Sequence, residues 1–246
     1  MRILAIIDLE TTTADPATAR IVETACCLWS VDHRAVINTV SMLVQGTENA
    51  ARDINHIPDA LLPMGSPIDR ALTFIGHFVA KADVIAAHFG ETFDRPVLEA
   101  HACPWVASKP WLDTNDIEYP RQSGRSLLAI AHVHGVQIGT LHRATDDVLL
   151  VARLLERLGE LGADVPALIA RAMRPKVRVI VADTSFSEER NAQAKTAGFT
   201  FDRATNRALV LPRNLLGMAT MWPLWSTCCA IWQRVGTGRL HPSSLG

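Results

Sequence analysis

The chain has 246 residues, 48% hydrophobic and 20% charged, with a formal net charge of -1. That length suits one α/β domain of ordinary size plus an appendage, and the apolar content is ample for a sizeable core. The charge balance excludes the globally basic signature of many nucleic-acid binders, while leaving room for a local basic groove.

The first predicted element is the apolar run Ile3 to Ile7, which reads as a buried strand ending in Asp8-Leu9-Glu10-Thr11-Thr12. Side chains alternate along a strand, so Asp8 and Glu10 share one face and Leu9 takes the other. Two like charges at the edge of an apolar core are costly unless something positive offsets them. A divalent metal with oxygen ligands would do so; two exposed acids at a strand end are the plain alternative. Only Arg2 precedes the apolar run, which is too short for a secretion signal.

Thr11 to Ala19 reads as a loop with Asp15-Pro16 as its turn signal. Ile21 to Val31 and Ala35 to Val44 are rich in β-formers and flank Asp32-His33-Arg34, a hairpin turn. The chain therefore opens as a three-strand antiparallel meander. Helical spacing follows over Pro58 to Leu62 and over Ile68 to Lys81, where Ile68, Leu72, Ile75 and Val79 fall on one face. Val84 to Ala87 is a short strand leading into His88-Phe89-Gly90-Glu91-Thr92-Phe93-Asp94, and Pro96 to His101 opens a helix.

Trp111-Leu112-Asp113-Thr114 is a strand with a polar end. Ser126 to His134 is a helix with Leu127, Ile130, Ala131 and His134 on its apolar face and Gly135 as its stop. Asp146 to Gly159 is a second amphipathic helix, apolar at Val148, Leu149, Val151, Ala152, Leu154, Leu155 and Leu158. Strands first, then alternating strand and helix, indicate an α/β fold: a mixed sheet flanked by helices. Residues 161–175 read as a linker or short helix.

A small β-α-β-β unit is expected over 176–213. Its parts are a strand at Val177 to Ala182, a helix at Ser187 to Thr196, and a hairpin of Phe199-Thr200-Phe201 with Ala208 to Leu211. The rest, 214–246, is an apolar tail of unknown role. Leu215 to Trp232 carries no charge and meets the length test for a membrane span, but Gly217, Thr220, Pro223, Ser226 and Thr227 argue against one. The five cysteines, Cys26, Cys27, Cys103, Cys228 and Cys229, lack C-x-x-C spacing and read as reduced thiols of a cytoplasmic protein.

Further chemistry-bearing residues are Asp94, Asp147 and, five residues before the latter, His142. Taken singly, Asp94 is a helix cap, Asp146 and Asp147 complement a helix dipole, and His142 is a loop residue. Taken in order, they resemble the DnaQ-like 3′→5′ exonucleases, the DEDDh branch of the RNase H-like superfamily. Asp8-Leu9-Glu10-Thr11-Thr12 resembles the first family motif, Ala87-His88 through Phe93-Asp94 the second, and His142 through Asp147 the third. Asn55-His56-Ile57, Trp111-Leu112-Asp113-Thr114 and Ser126-Leu127-Leu128-Ala129 are secondary matches, and the likeness spans residues 3 to 158.

The resemblance implies an RNase H-like exonuclease domain over 1–160. It implies two-metal hydrolysis of 3′ ends to nucleoside 5′-monophosphates, with ions about 3.5–4 Å apart. Asp8 would bridge both ions, Glu10 and Asp147 would complete one site, and Asp94 would support the other. Hard carboxylate ligands suit Mg²⁺ or Mn²⁺, and His142 would be the general base. The family spacing selects Asp147 over Asp146, which is left as a cap or supporting group. Thr11, Thr12, His56 and Ile57 are expected at the terminal nucleotide, with core packing as the alternative for Ile57. Single-stranded DNA or RNA ends are the expected substrates.

One departure stands out. Phe89 occupies the place where the family usually has an asparagine; it offers a ring for base stacking or core filling but no hydrogen bond. Ala194-Lys195-Thr196-Ala197-Gly198-Phe199 with Asp202 looks like a small C-terminal module found on some of these exonucleases. A proofreading enzyme beside a polymerase or repair partner ranks lower, because no clamp-binding motif is visible. A non-catalytic nucleic-acid-binding module is the alternative of a different class.

Overall fold

β1 (Ile3–Thr11), β2 (Ile21–Ser30) and β3 (Ala35–Leu43) form the antiparallel meander, joined by a turn in which Arg34 takes a left-handed φ of 51°. β4 (Val84–Ala87) lies parallel to β1, and β5 (Trp111–Asp113) lies parallel to β4. The five strands are ordered β3-β2-β1-β4-β5, so the opening apolar run sits at the centre of the sheet. This computed structural model describes residues 2–121, 124–139 and 142–174, and beyond them the backbone of four short strands.

Alternation along the central strands builds two cores. Leu4 and Ile6 of β1, with Ala25, Cys27 and Trp29 of β2, face one side of the sheet. Ala5, Ile7 and Leu9, with Cys26 and Leu28, face the other. The first face is covered by α4 (Leu127–Val133), α5 (Ala144–Glu160) and α6 (Val165–Ala172). α5 contributes Val148, Val151, Leu154, Leu155 and Leu158, each stabilising the fold by about 1.5–3 kcal/mol on full burial. The second face is covered by α2 (Ile68–Val79) and α3 (Asp94–Ala100). Cys26 and Cys27 sit on opposite faces, which is why these neighbours are both free thiols.

The mixed sheet flanked by helices agrees with the α/β, RNase H-like expectation. Several local details differ. The helix expected over Pro58 to Leu62 is a 3₁₀ segment, Asp59–Met64, containing Pro63, which lacks the N–H that an α-helix would need. A one-turn helix, α1 (Arg52–Asn55), precedes it without having been anticipated. Of the two readings of 161–175, linker or short helix, the structure takes the helix, α6. In α6 the Asp164 side chain caps the helix by accepting the Ala167 N–H at 3.0 Å, and Val165, Leu168 and Ile169 are buried. At eight residues, α6 is too short for its periodicity alone to decide between linker and helix in the sequence.

The chain divides into two units, Met1–Arg174 and Pro175–Gly246. In the second, β6 (Arg178–Ala182), β7 (Thr200–Asp202), β8 (Arg207–Val210) and β9 (Val235–Thr237) form an antiparallel sheet ordered β7-β8-β6-β9. β9 comes from the stretch read as an apolar tail, and three residues are too few to announce a strand. The helix expected over Ser187 to Thr196 and the apolar run Leu215 to Trp232 lie outside the described residues. Among the described residues, no helix is long and apolar enough to cross a membrane.

Candidate active site

Asp8 and Glu10 continue the row begun by Leu4 and Ile6, so they point to the α5 side, where the apolar row gives out at the C-terminal end of β1. The first turn of α5 comes to meet them. One carboxylate oxygen each from Asp8, Glu10 and Asp147 lies within 4.8 Å of the others. Asp94 reaches the same region from the other face, as the first residue of α3 after the loop that leaves β4. It is 3% exposed, and its Oδ1 has no hydrogen-bond partner. β1, β4 and β5 run parallel, and the acids gather at their carboxyl ends, the usual place for a site in an open α/β sheet.

Electrostatics mark the cluster as unsatisfied. Burial raises the Asp8 carboxyl well above its ordinary range, and Asp94, Asp147, Glu10 and Glu23 push it further. Glu10 is raised to about 8, first by burial and then by Asp147 and Glu23, against an opposing pull from Arg143. Asp94 is raised to about 7 by burial, although its own amide and that of Leu9 donate to it. Asp147 is raised to about 6, again chiefly by burial. Such a set of hard oxygen donors, including a bare buried oxygen, fits one or more small divalent cations of the Mg²⁺ or Mn²⁺ type.

His142 sits two residues before α5, exposed and in a left-handed conformation with φ 60°. Its backbone N–H donates to Asp147 Oδ2 at 3.1 Å, and the Asp147 N–H donates to the Arg143 carbonyl at 3.0 Å. The histidine and the aspartate five residues on are thereby joined into one corner. Asp146 is outside the clustered oxygens.

The expected substrate contacts fare unevenly. The Thr11 hydroxyl donates to the Thr13 carbonyl at 2.7 Å, and the Thr12 N–H donates to the Arg20 carbonyl at 2.9 Å. The Thr12 hydroxyl accepts the Arg20 N–H at 3.2 Å, so both threonines are engaged within their own loop. His56 is exposed with φ 57°, whereas Ile57 is buried with Val22, Leu62 and Leu43 and presents nothing to the surface. Asn49 and Asn55 build this loop: Asn49 Nδ2 donates to Asn55 Oδ1 and to the Ile57 carbonyl, both at 2.8 Å, and Asn55 Nδ2 donates to the Thr11 carbonyl at 3.4 Å.

Phe89 is 38% exposed and packs edge-to-face on His88 with ring centroids 4.8 Å apart. Its φ of 60° is a left-handed conformation that a bulky residue rarely adopts. The next residue must be glycine, since a Cβ at Gly90 would come within 2.4 Å of the Ala87 Cβ.

Two buried acids near the site were given no role in the sequence reading. Asp113 accepts the Phe89 N–H at 3.0 Å and the Asn115 N–H at 2.9 Å, which ties the β4–α3 loop to the end of β5. Glu23 lies on β2 directly opposite Glu10, 3% exposed, and faces Arg143. The signal for Glu23 was a lone acid in a ten-residue strand that is otherwise apolar or small, every residue of which is buried.

The sequence model of the RNase T-type exonuclease family, described as Exonuclease, matches residues 5–155. The chain belongs to this exonuclease family. Membership makes it a nuclease-type domain and agrees with the motif order from Asp8 to Asp147. Comparison with curated proteins returned no match. Among solved structures, exonuclease X in complex with 5′ overhanging duplex DNA is similar at TM-score 0.53 and 23% identity, covering 69% of this chain and 99% of that one. E. coli exonuclease I in complex with a dT13 oligonucleotide is similar at TM-score 0.53 and 18% identity, covering 66% of this chain and 43% of that one. A 3′-exonuclease that recognises the 3′ end of histone mRNA stem-loop is similar at TM-score 0.55 and 15% identity, covering 66% of this chain and 65% of that one. At these identities the likeness is one of fold.

Proposed function

We propose that this chain is a divalent-metal-dependent 3′→5′ exonuclease that removes nucleotides from single-stranded DNA or RNA ends as nucleoside 5′-monophosphates. The observation that carries the reading is the meeting of the Asp8, Glu10 and Asp147 oxygens within 4.8 Å, in surroundings that raise the proton affinity of every member. Asp8, Glu10 and Asp147 would hold Mg²⁺ or Mn²⁺, with Asp94 supporting a second ion through its bare Oδ1. When bound, the cations supply positive charge to the scissile phosphate and its leaving oxygen.

The protein's own residues divide the remaining work. His142, exposed at the rim and held by its amide to Asp147, takes the proton of the attacking water. The terminal P–O3′ bond breaks; the shortened strand keeps its 3′-hydroxyl and the released nucleotide carries the new phosphate oxygen. His56 and Phe89, both exposed on loops beside the acidic end of the sheet, contact the terminal nucleotides, Phe89 by stacking. The 3′ polarity is supported by the order of the acidic and histidine motifs and by the fold shared with a 3′-exonuclease.

An oligonucleotide labelled at its 5′ end separates the outcomes. With Mg²⁺, a ladder shortening from the 3′ end and release of 5′-monophosphates are expected, and both should cease with EDTA. Digestion that persists when the 3′ end is blocked, or that survives Asp8→Ala, would overturn the reading.

A further inference from the structure

Glu23 and Arg143 are 120 residues apart and form the best-connected ion pair among the described residues. Arg143 Nε donates to Glu23 Oε2 at 3.0 Å, and the same guanidinium donates to Oε1 at 2.8 Å, a two-pronged contact. Glu23 Oε2 also accepts the Ala144 N–H at 3.1 Å. α5 has no side-chain cap of its own at Arg143, so Glu23 caps the helix from β2 and places a negative charge at its positive end. Glu23 thus stands opposite Glu10 in the β1–β2 register, with its oxygens already committed to Arg143 and Ala144. The bonds run from β2 through Glu23 to Arg143 and Ala144, the residues that separate His142 from the rest of α5.

We infer that the Glu23–Arg143 pair is a positioning device that fixes the start of α5, and with it His142 and Asp147, against the sheet that carries Asp8 and Glu10. The inference rests on the exonuclease reading of the site and adds two residues outside its carboxylate–histidine set. A pair kept only for stability behaves differently. Removing one partner of a buried pair strands a charge, whereas replacing both with apolar residues relieves it. Positioning is lost in either case.

The test compares Arg143→Met with the double variant Glu23→Leu/Arg143→Met, measuring melting temperature, kcat, KM on a labelled oligonucleotide, and the rise in melting temperature with added Mg²⁺. The expected result is a melting temperature that falls in the single variant and recovers in the double. Meanwhile kcat stays about 10–100-fold down in both, as for other residues that orient a ligand through a second contact. KM should stay within about twofold of the parent, while the Mg²⁺ response weakens in both variants, because Asp147 is displaced together with His142. Arg143→Lys, which keeps the charge but not the fork, should fall between and provides the reading should either variant fail to fold. Recovery of kcat together with melting temperature in the double variant would overturn the inference, as would a Mg²⁺ response kept in Arg143→Met and lost only in the double variant, which would make Glu23 a ligand. If the parent chain degrades no oligonucleotide, the exonuclease reading fails. Amide hydrogen exchange over residues 142–148 then decides the positioning claim: faster exchange in both variants supports it and unchanged exchange overturns it.

Discussion

Asp8 and Glu10 stand on the central strand of the sheet, paired residue for residue with β2, whereas His142 stands in a left-handed conformation on an exposed approach to α5. The strand end is rigid but electrostatically unfavourable: four carboxylates there have raised proton affinities, and the nearest guanidinium is already bound to Glu23. The helix start is the reverse. Its polar groups are satisfied by Asp147, Glu23 and one another. Under the proposed function, the strand end would gather positive charge and the helix start would present the base. Changes at the strand end should therefore alter metal binding and stability in opposite senses, and a change at His142 should alter turnover alone.

The harshest trial of that contrast is Asp8→Ala. Turnover should fall by on the order of 10³-fold or more, with the Mg²⁺-induced rise in melting temperature lost. Without metal, the same variant should melt higher than the parent, because one of the mutually repelling buried acids is gone. A lower metal-free melting temperature would contradict the account of the strand end. His142→Gln comes next. It should lower kcat by about 10²–10⁴-fold while leaving the Mg²⁺ response of the melting temperature in place, and a lost Mg²⁺ response would make the histidine a ligand instead of a base. Within α5, Asp147→Asn should lose the Mg²⁺ response that Asp146→Asn keeps, since only Asp147 offers an oxygen to the cluster.

The strand end was readable from the sequence because its information is local. Five apolar residues and an Asp-x-Glu fix a strand, a face and a charge problem within one short segment. The meander was legible for the same reason: its turns are short, and β-rich runs flank them. Glu23 was not, because its role depends on register. Only the pairing of β1 with β2 puts it opposite Glu10, and only the lay of α5 across that face brings Arg143 to it. Asp113 was noticed as the polar end of a strand, but that it takes the Phe89 amide depends on the parallel crossover from β4 to β5. β9 was too short to register against its surroundings, and α6 was long enough only to leave a linker and a short helix both open.

The pH dependence of the metal-free protein tests the strand end more gently. Glu10 near 8, Asp94 near 7 and Asp147 near 6 all lie above the ordinary carboxylate value of about 4. The folded state therefore holds more protons than the unfolded chain between those limits. The stability contributed by these protonated acids is complete below about pH 4 and is lost as pH rises through about 6–8. In EDTA the melting temperature should fall across that upper window. Added Mg²⁺, competing with the same protons, should flatten the curve and stabilise more strongly as pH rises. A metal-free melting temperature that climbs from pH 6 to 8 would show that the acids are not mutually destabilising.

The smallest effect is expected at Phe89, where the loop into Asp94 carries strain instead of charge. Asparagine tolerates the left-handed conformation far better than phenylalanine, so Phe89→Asn should relieve about 1 kcal/mol of backbone strain. The variant also gives up the edge-to-face contact with His88, so the net gain in melting temperature should be small and positive. If the exposed ring stacks on substrate, the same change should raise KM for an oligonucleotide several-fold with kcat nearly unchanged, the pattern of lost uniform binding. A fall in kcat with KM unmoved would instead mean that the loop, through the Asp113–Phe89 amide bond, sets the placement of Asp94. The strand end would then owe its geometry to this neighbouring loop as well as to the sheet.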